Sequence, residues 1–146
     1  GRGTIDQLFG IRQLAEKCCE QNRTLFNNFI DFKQAFDSVW QKGLWQILRT
    51  YGIPEHLIQL LEDLYSKSLG AVRVDSELTE WFRVTVGVGQ GCNLSPYLFN
   101  FLLEAIMQHA LAETEAGVKI SGEVVNNLRF ADDIDLIAET EEQLQQ

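Results

Sequence analysis

The chain has 146 residues, 45% of them hydrophobic and 23% charged, a length and balance that suit one soluble globular domain and exclude a disordered or fibrous chain. Twelve Lys and Arg stand against twenty-one Asp and Glu, a net charge of -9, which excludes a self-sufficient nucleic-acid surface because affinity for a phosphate backbone comes from clustered cations. Either the partner is not nucleic acid, or the basic surfaces lie in parts of a larger protein.

Thr4-Ile5-Asp6-Gln7 reads as a capping box, the Thr hydroxyl and the Gln side chain satisfying free amides of a first turn. Leu8, Ile11, Leu14, Ala15 and Cys18 then recur at helical spacing and predict a helix to about Glu20. Residues 24–32, with Leu25, Phe26, Phe29, Ile30 and Phe32, are rich in strand formers and predict a buried strand ending near Asp31. Leu44, Ile47 and Leu48 mark a second helix that stops at Gly52, and Pro54 suits the first turn of a third, with Leu57, Leu60, Leu61 and Leu64 on one face. Two helices joined so tightly should pack as a pair.

Residues 71–75 and 81–86 alternate around a polar turn at 76–79, the pattern of a hairpin. Gly87, Gly89 and Gly91 then break regular structure. Ser95-Pro96 supplies a cap and a first-turn proline for a helix apolar nearly all round, from Leu98 to Met107, which should be central in the core. Residues 118–120, a Ser121-Gly122 turn, a strand into Asp132 and Asp133, a strand to Ala138 and the start of a last helix complete the chain. Strands and helices mix without a regular βαβ beat, so the fold class is α+β. The abrupt start, and an end in Glu-Glu-Gln-Leu-Gln-Gln part-way into a helical pattern, read like an excised segment.

Cys18, Cys19 and Cys92 form no zinc-ligand spacing and no disulfide framework, which points to a reducing, intracellular compartment, nucleus or cytoplasm. No apolar stretch approaches the roughly 20 residues that span a bilayer, so no membrane partner is expected.

The chemistry gathers at Phe130-Ala131-Asp132-Asp133, two adjacent carboxylates between short apolar runs. Alone, such a pair is usually a solvated turn, since Asp accepts turn backbone angles. A hairpin tip also holds both carboxylates against water, where a hard divalent cation takes one or two of them plus substrate phosphates. Asp31, at the end of the first strand, would complete such a site in a common sheet. In-line displacement at phosphorus builds charge on the attacking and leaving oxygens, and two metals about 3.5 to 4 Å apart stabilise both.

Phe29-Ile30-Asp31-Phe32-Lys33-Gln34-Ala35-Phe36-Asp37, the run from Gly87 through Gln90-Gly91 and Ser95-Pro96 to Asn100, and Phe130-Ala131-Asp132-Asp133 resemble, in order and spacing, motifs A, B and C of reverse transcriptases. The resemblance is to LINE-type, non-LTR retrotransposon enzymes and runs over essentially the whole chain. It implies a truncated right-hand polymerase palm with part of the fingers, an antiparallel sheet packed on helices. Within one partial domain, residues 24–40 and 87–146 would be palm core, and about 1–23 and 41–86 fingers or palm-associated helices and hairpin.

The resemblance further implies that Asp31 and Asp132 ligate two Mg2+ ions, replaceable by Mn2+, with Asp133 beside them in a less direct catalytic and metal role. Because neighbouring strand residues point to opposite faces, unequal roles for Asp132 and Asp133 are expected. Phe32, Lys33, Ala35, Phe36, Gln90 and Gly91 are implied as substrate-binding: Phe36 as the ring that blocks a ribose 2'-hydroxyl, Gln90 and Gly91 beside the incoming nucleotide and template base, Lys33 on the triphosphate. Phe36 could instead only pack a helix onto the sheet, and Asp37 could only cap or pair locally.

The implied partners, in a full-length protein, are an RNA or DNA template, a primer and deoxynucleotide triphosphates. Gly89 departs from the pattern, which usually has Arg there, and so removes a cation near the nucleotide. Two other readings stay open: a non-catalytic, decayed or co-opted remnant acting at most as a binding module, and a metal-dependent hydrolase, although no His lies near any acidic motif to position water.

Overall fold

The computed structural model describes residues 3–114, 116–120 and 122–145. The elements follow in the order α1 (Thr4–Glu20), β1 (Phe26–Asp31), α2 (Gln41–Thr50), α3 (Glu55–Ser66), β2 (Leu69–Gly70), β3 (Arg73–Val74), β4 (Glu77–Leu78), β5 (Phe82–Arg83) and α4 (Ser95–Leu111). Then come β6 (Val118–Ile120), β7 (Glu123–Val125), β8 (Asn127–Phe130), β9 (Asp133–Ala138) and α5 (Glu141–Leu144). They form two compact units, one of Gly1–Lys33 with His109–Gln146, the other of Gln34–Gln108.

In the first unit α1 begins one residue earlier than its sequence signature. Gly3 is the N-cap, and the Asp6 carboxylate accepts its N–H at 2.7 Å while the Asp6 N–H donates back to the Gly3 carbonyl at 3.0 Å. Asp6 therefore does the work expected of Gln7, which donates instead to the Arg129 carbonyl at 3.1 Å. The helix ends where Asn22, at φ +53, lets the Arg23 and Asn22 N–H groups reach the Cys18 and Cys19 carbonyls.

β9 is the central strand of an antiparallel sheet in the order β1-β9-β8. Its register pairs Phe26 with Ala138 at one end of β1 and Asp31 with Asp133 at the other, while β8 pairs Phe130 with Asp133. α1 lies on this sheet, and Leu14 and Cys18 bury against Val118 and Ile137, with Leu25, Ile120, Val125 and Leu128 around them. Each fully buried aliphatic side chain contributes about 1.5–3 kcal/mol. Arg23 ties the segment after α1 to the Lys119 carbonyl at 2.6 Å and to the Glu139 carboxylate.

β6 pairs with β7, Val118 opposite Val125, and Gly122 at φ +94 lies in their turn, whereas Ser121 lies outside the described residues. The strand expected to run unbroken into Asp132 is divided at Asn126, whose carbonyl accepts from the Ile137 N–H at 2.9 Å. β1 is also less buried than its composition suggested, with Phe29 70% exposed. Strand formers set the conformation; they do not decide which face is covered.

In the second unit α2 closes as expected at Gly52, whose φ of +75 allows the Gly52 and Ile53 N–H groups to bond the Arg49 and Leu48 carbonyls. α2 and α3 pair through Leu44, Leu48 and Ile58, all buried, and through Trp45 against Tyr65 at 5.5 Å. The leucine row of α3 is not the packed face: Leu57, Leu60 and Leu64 are exposed, and Ile58 and Tyr65 are buried instead. Ile58 and Tyr65 are seven positions apart, two helical turns, and so share the face that meets α2.

The hairpin has two tiers, β2 on β5 and β3 on β4. Its tip is Asp75-Ser76, both at positive φ (+47 and +73), as a two-residue hairpin loop requires. Glu77-Leu78 is therefore strand, not the middle of the turn expected at 76–79. α4 buries Leu98, Phe99, Leu103 and Met107 but exposes Tyr97 and Ile106, so it is one-sided where its composition suggested a wholly enclosed helix.

Candidate active site

Asp31 closes β1 and Asp133 opens β9, and the two are register partners. Residues directly opposite on antiparallel strands project to the same face, so both exposed carboxylates share one side at one end of the sheet. Asp132 lies beside them in the two-residue loop between Phe130 and Asp133, half-buried, after Ala131 in a left-handed conformation at φ +53. Asp132 is a loop residue, so the two carboxylates differ as loop and strand, not as opposite faces of one strand.

All these donors are hard oxygens, the chemistry that magnesium and manganese take. Among the described residues no group of three or more His, Cys, Asp and Glu is gathered closely enough to hold a metal ion. The arrangement therefore fits a cation that takes one or two carboxylates here and completes its shell with phosphate and water oxygens, the usual state of magnesium.

On the same face, two residues along β9, sits Asp135, a site-side carboxylate that the motifs do not include. It is 4% exposed. Its Oδ2 accepts from Asn27 Nδ2 across the β1–β9 pair at 2.6 Å, and its Oδ1 is buried without a partner. Burial pushes this carboxyl above its ordinary value, opposed by the Asn27 bond. The signal was available in the period-two spacing of Asp133, Asp135 and Ile137.

Lys33 is exposed and Phe32 half-buried just after β1. In the second unit the turn at residues 34–38, with Gln34 at φ +54, presents Phe36, whose ring stacks on Phe99 at 4.8 Å. The glycine-rich loop is laced to this turn by backbone bonds: the Gly87 N–H donates to Val39 and the Val88 N–H to Phe36, each at 2.8 Å. Gln41 Nε2 donates to the Gly87 carbonyl at 2.9 Å.

Further along the loop, Gln90 Nε2 donates to Asp37 Oδ2 at 3.3 Å, Gly91 turns at φ +81, and Ser95 Oγ donates to the Gly89 carbonyl at 2.6 Å. Phe36, Gln90, Gly91 and Tyr97 line a cavity of about 780 Å³. Ala35 is buried and not part of that lining. The structure thus brings Phe36, Gln90 and Gly91 together in one unit, and Asp31, Asp132 and Asp133 in the other. The Gln41–Gly87 and Asp37–Gln90 bonds were not legible, because each depends on a contact with a distant stretch of chain.

The family profile described as reverse transcriptase (RNA-dependent DNA polymerase) matches residues 2–146. The chain is similar to the retrovirus-related Pol polyprotein of the type-2 retrotransposable element R2DM of Drosophila melanogaster, 33% identical over 116 residues, covering 80% of this chain and 11% of the relative. It is similar also to the polyprotein of the type-1 element R2 of Nasonia vitripennis, 35% identical over 121 residues, covering 83% and 12%. The chain thus spans about a tenth of the length of these relatives. Among solved structures it is similar to a Candida tropicalis telomerase in complex with a fragment of telomeric RNA, with a TM-score of 0.72 and 16% identity over 99% of this chain and 26% of that one. At that identity the likeness shows the fold: helices and antiparallel sheets in a truncated polymerase-like arrangement.

Proposed function

This chain belongs to the reverse transcriptase (RNA-dependent DNA polymerase) family, and from that premise we propose that it contributes the metal-binding carboxylates to template-directed DNA synthesis within a longer retrotransposon protein. The observation that carries the reading is the register of β1 on β9, with Asp31 opposite Asp133 and Asp132 in the adjoining loop. Asp31 and Asp132 would hold two Mg2+ ions, or Mn2+, with Asp133 beside them. Bound there, the ions supply charge stabilisation to the attacking and leaving oxygens.

The chain's own residues do the rest. Phe36, braced by Phe99, excludes a ribose 2'-hydroxyl, and Lys33 offers a cation to the triphosphate. Gln90, anchored by Asp37, meets the incoming nucleotide and template base, and Gly91 lets backbone approach a base closely. The partners are a primed RNA or DNA template and deoxynucleotide triphosphates, in the nucleus or cytoplasm. Primer extension on an RNA template by the longer protein, with Mg2+ or Mn2+, tests this. Asp132→Ala is expected to lower extension by on the order of 100-fold or more, and a variant that extends as fast as its parent refutes the role of that residue.

A second reading is a non-catalytic module that binds a partner: Gly89 stands where the family pattern has a cation, which removes one contact to the nucleotide. Extension by the parent that requires Asp31 and Asp132 would eliminate it.

A further inference from the structure

Gln90 lines the cavity of about 780 Å³ in the second unit, and its neighbours restrain it little: Gly89 and Gly91 flank it, and a Cβ at either would meet nothing within 4 Å. Ser95 Oγ holds the Gly89 carbonyl, but that bond fixes the chain and not the Gln90 amide. A free amide can offer a ligand either its N–H groups or its carbonyl oxygen. Asp37 removes the choice: its Oδ2 accepts from Gln90 Nε2 at 3.3 Å, and its carboxylate has no other hydrogen-bond partner among the described residues.

Asp37 is itself held in place. The Val88 N–H donates to Phe36 and the Gly87 N–H to Val39, each at 2.8 Å, so the chain is bonded on both sides of it. Buried Gly87 lies so close that a Cβ there would stand 2.7 Å from the Asp37 carbonyl oxygen. Asp37 is not part of the cavity lining, so it reaches a ligand only through Gln90. At 3.3 Å the bond is long for an N–H donor, as site contacts often are before substrate draws them in, and it strengthens as a cavity loses water.

We propose that Asp37 is a positioning residue for the incoming nucleotide: by taking Gln90 Nε2 it leaves Gln90 Oε1 as the atom offered to the cavity. Gln90 then acts as an acceptor, and the nucleotide must present a hydroxyl or amino donor to it. A carboxylate fixes this polarity because, when ionised, it can only accept. The proposal rests on the reading of Gln90 as a nucleotide contact and adds the atom through which that contact is made and the residue that selects it.

Primer extension by the longer protein, with the deoxynucleotide varied at saturating primed template, gives KM and kcat for Gln90→Ala, Asp37→Ala, Asp37→Asn and the double alanine variant. Asp37→Ala is expected to raise KM by about 3–10-fold, the value of one hydrogen bond, with kcat within about twofold of the parent. The double variant is expected to match Gln90→Ala, because Asp37 acts only through Gln90. Asp37→Asn, whose carbonyl still accepts, is expected to recover most of the loss. An unchanged KM in Asp37→Ala, a fall in kcat alone, losses that multiply in the double variant, or an Asp37→Asn as impaired as Asp37→Ala overturns the proposal while leaving Gln90 in its role. A parental KM in Gln90→Ala overturns the reading of Gln90 and the proposal with it.

Discussion

Replacing Gly87 with Ala is expected to destabilise the second unit by about 2–5 kcal/mol, from one strained conformation and the loss of one or two hydrogen bonds. Gly87 is buried at φ +88, and an added Cβ would lie 2.7 Å from the Asp37 carbonyl oxygen and 3.0 Å from the Asp37 Cα. Those neighbours are backbone atoms and cannot swing aside. A side-chain-bearing residue held in this region costs about 1–3 kcal/mol by itself. Relieving the contact would pull the loop from residues 36–39, where the Gly87–Val39 and Val88–Phe36 bonds of 2.8 Å are each worth about 1 kcal/mol.

Urea unfolding reads the difference directly. With a slope of about 2 kcal/mol/M, the midpoint should fall by about 1–2.5 M. Gly89→Ala is the control, because a Cβ at Gly89 meets nothing within 4 Å and its φ is not left-handed; its stability should stay within about 0.5 kcal/mol of the parent. Equal midpoints for the two variants would refute the claim that Gly87 sets the loop against the Phe36 turn.

Phe36→Val should widen the room beside a bound sugar and raise the ratio of ribonucleotide to deoxynucleotide incorporation by about 10–100-fold in primer extension by the longer protein; an unchanged ratio would leave Phe36 as a packing partner of Phe99 only. Asn27→Ala removes the donor at 2.6 Å from Asp135 Oδ2 and leaves a buried carboxylate with neither oxygen paired, a loss of about 1–3 kcal/mol by urea denaturation, and a neutral effect would sink this view of the pair. Arg49 forks onto Glu55 at 2.8 and 2.9 Å, and that hydrogen bond holds the Glu55 carboxyl below its ordinary 4.5. A carboxyl depressed on folding adds stability that is present above the unfolded value and is lost as pH falls through the folded one. The advantage of the parent over Arg49→Met should therefore be present at pH 7 and shrink below pH 4.5; an advantage independent of pH contradicts the ion pair as its source.

α1, β1, α2 and α3 were legible because their signals are local: apolar spacing, a glycine at a helix end, a proline at a helix start. The misread features turned on competition between neighbours. Asp6 captured the Gly3 amide ahead of Gln7, and Asp75-Ser76 took the left-handed angles of the hairpin tip that a longer polar turn would not have needed. The leucines of α3 show the limit of a pattern that names an apolar face without naming what covers it. Leu57, Leu60 and Leu64 are exposed, while Ile58 and Tyr65 meet the neighbouring helix.

Three motifs in order, with the carboxylates Asp31, Asp132 and Asp133 within them, identify the family from the chain alone, because residue type and spacing survive in one dimension. What those carboxylates face depends on contacts between distant segments. The β1–β9 register that sets Asp31 opposite Asp133, the bond from Asn27 to Asp135 across 108 positions and the bond from Gln90 to Asp37 across 53 join segments far apart in the chain. A strand shifted by one residue would turn every one of its side chains to the other face. Local propensity leaves that choice open, and the packing of α1 over the sheet, with Leu14 and Cys18 against Ile137, makes it.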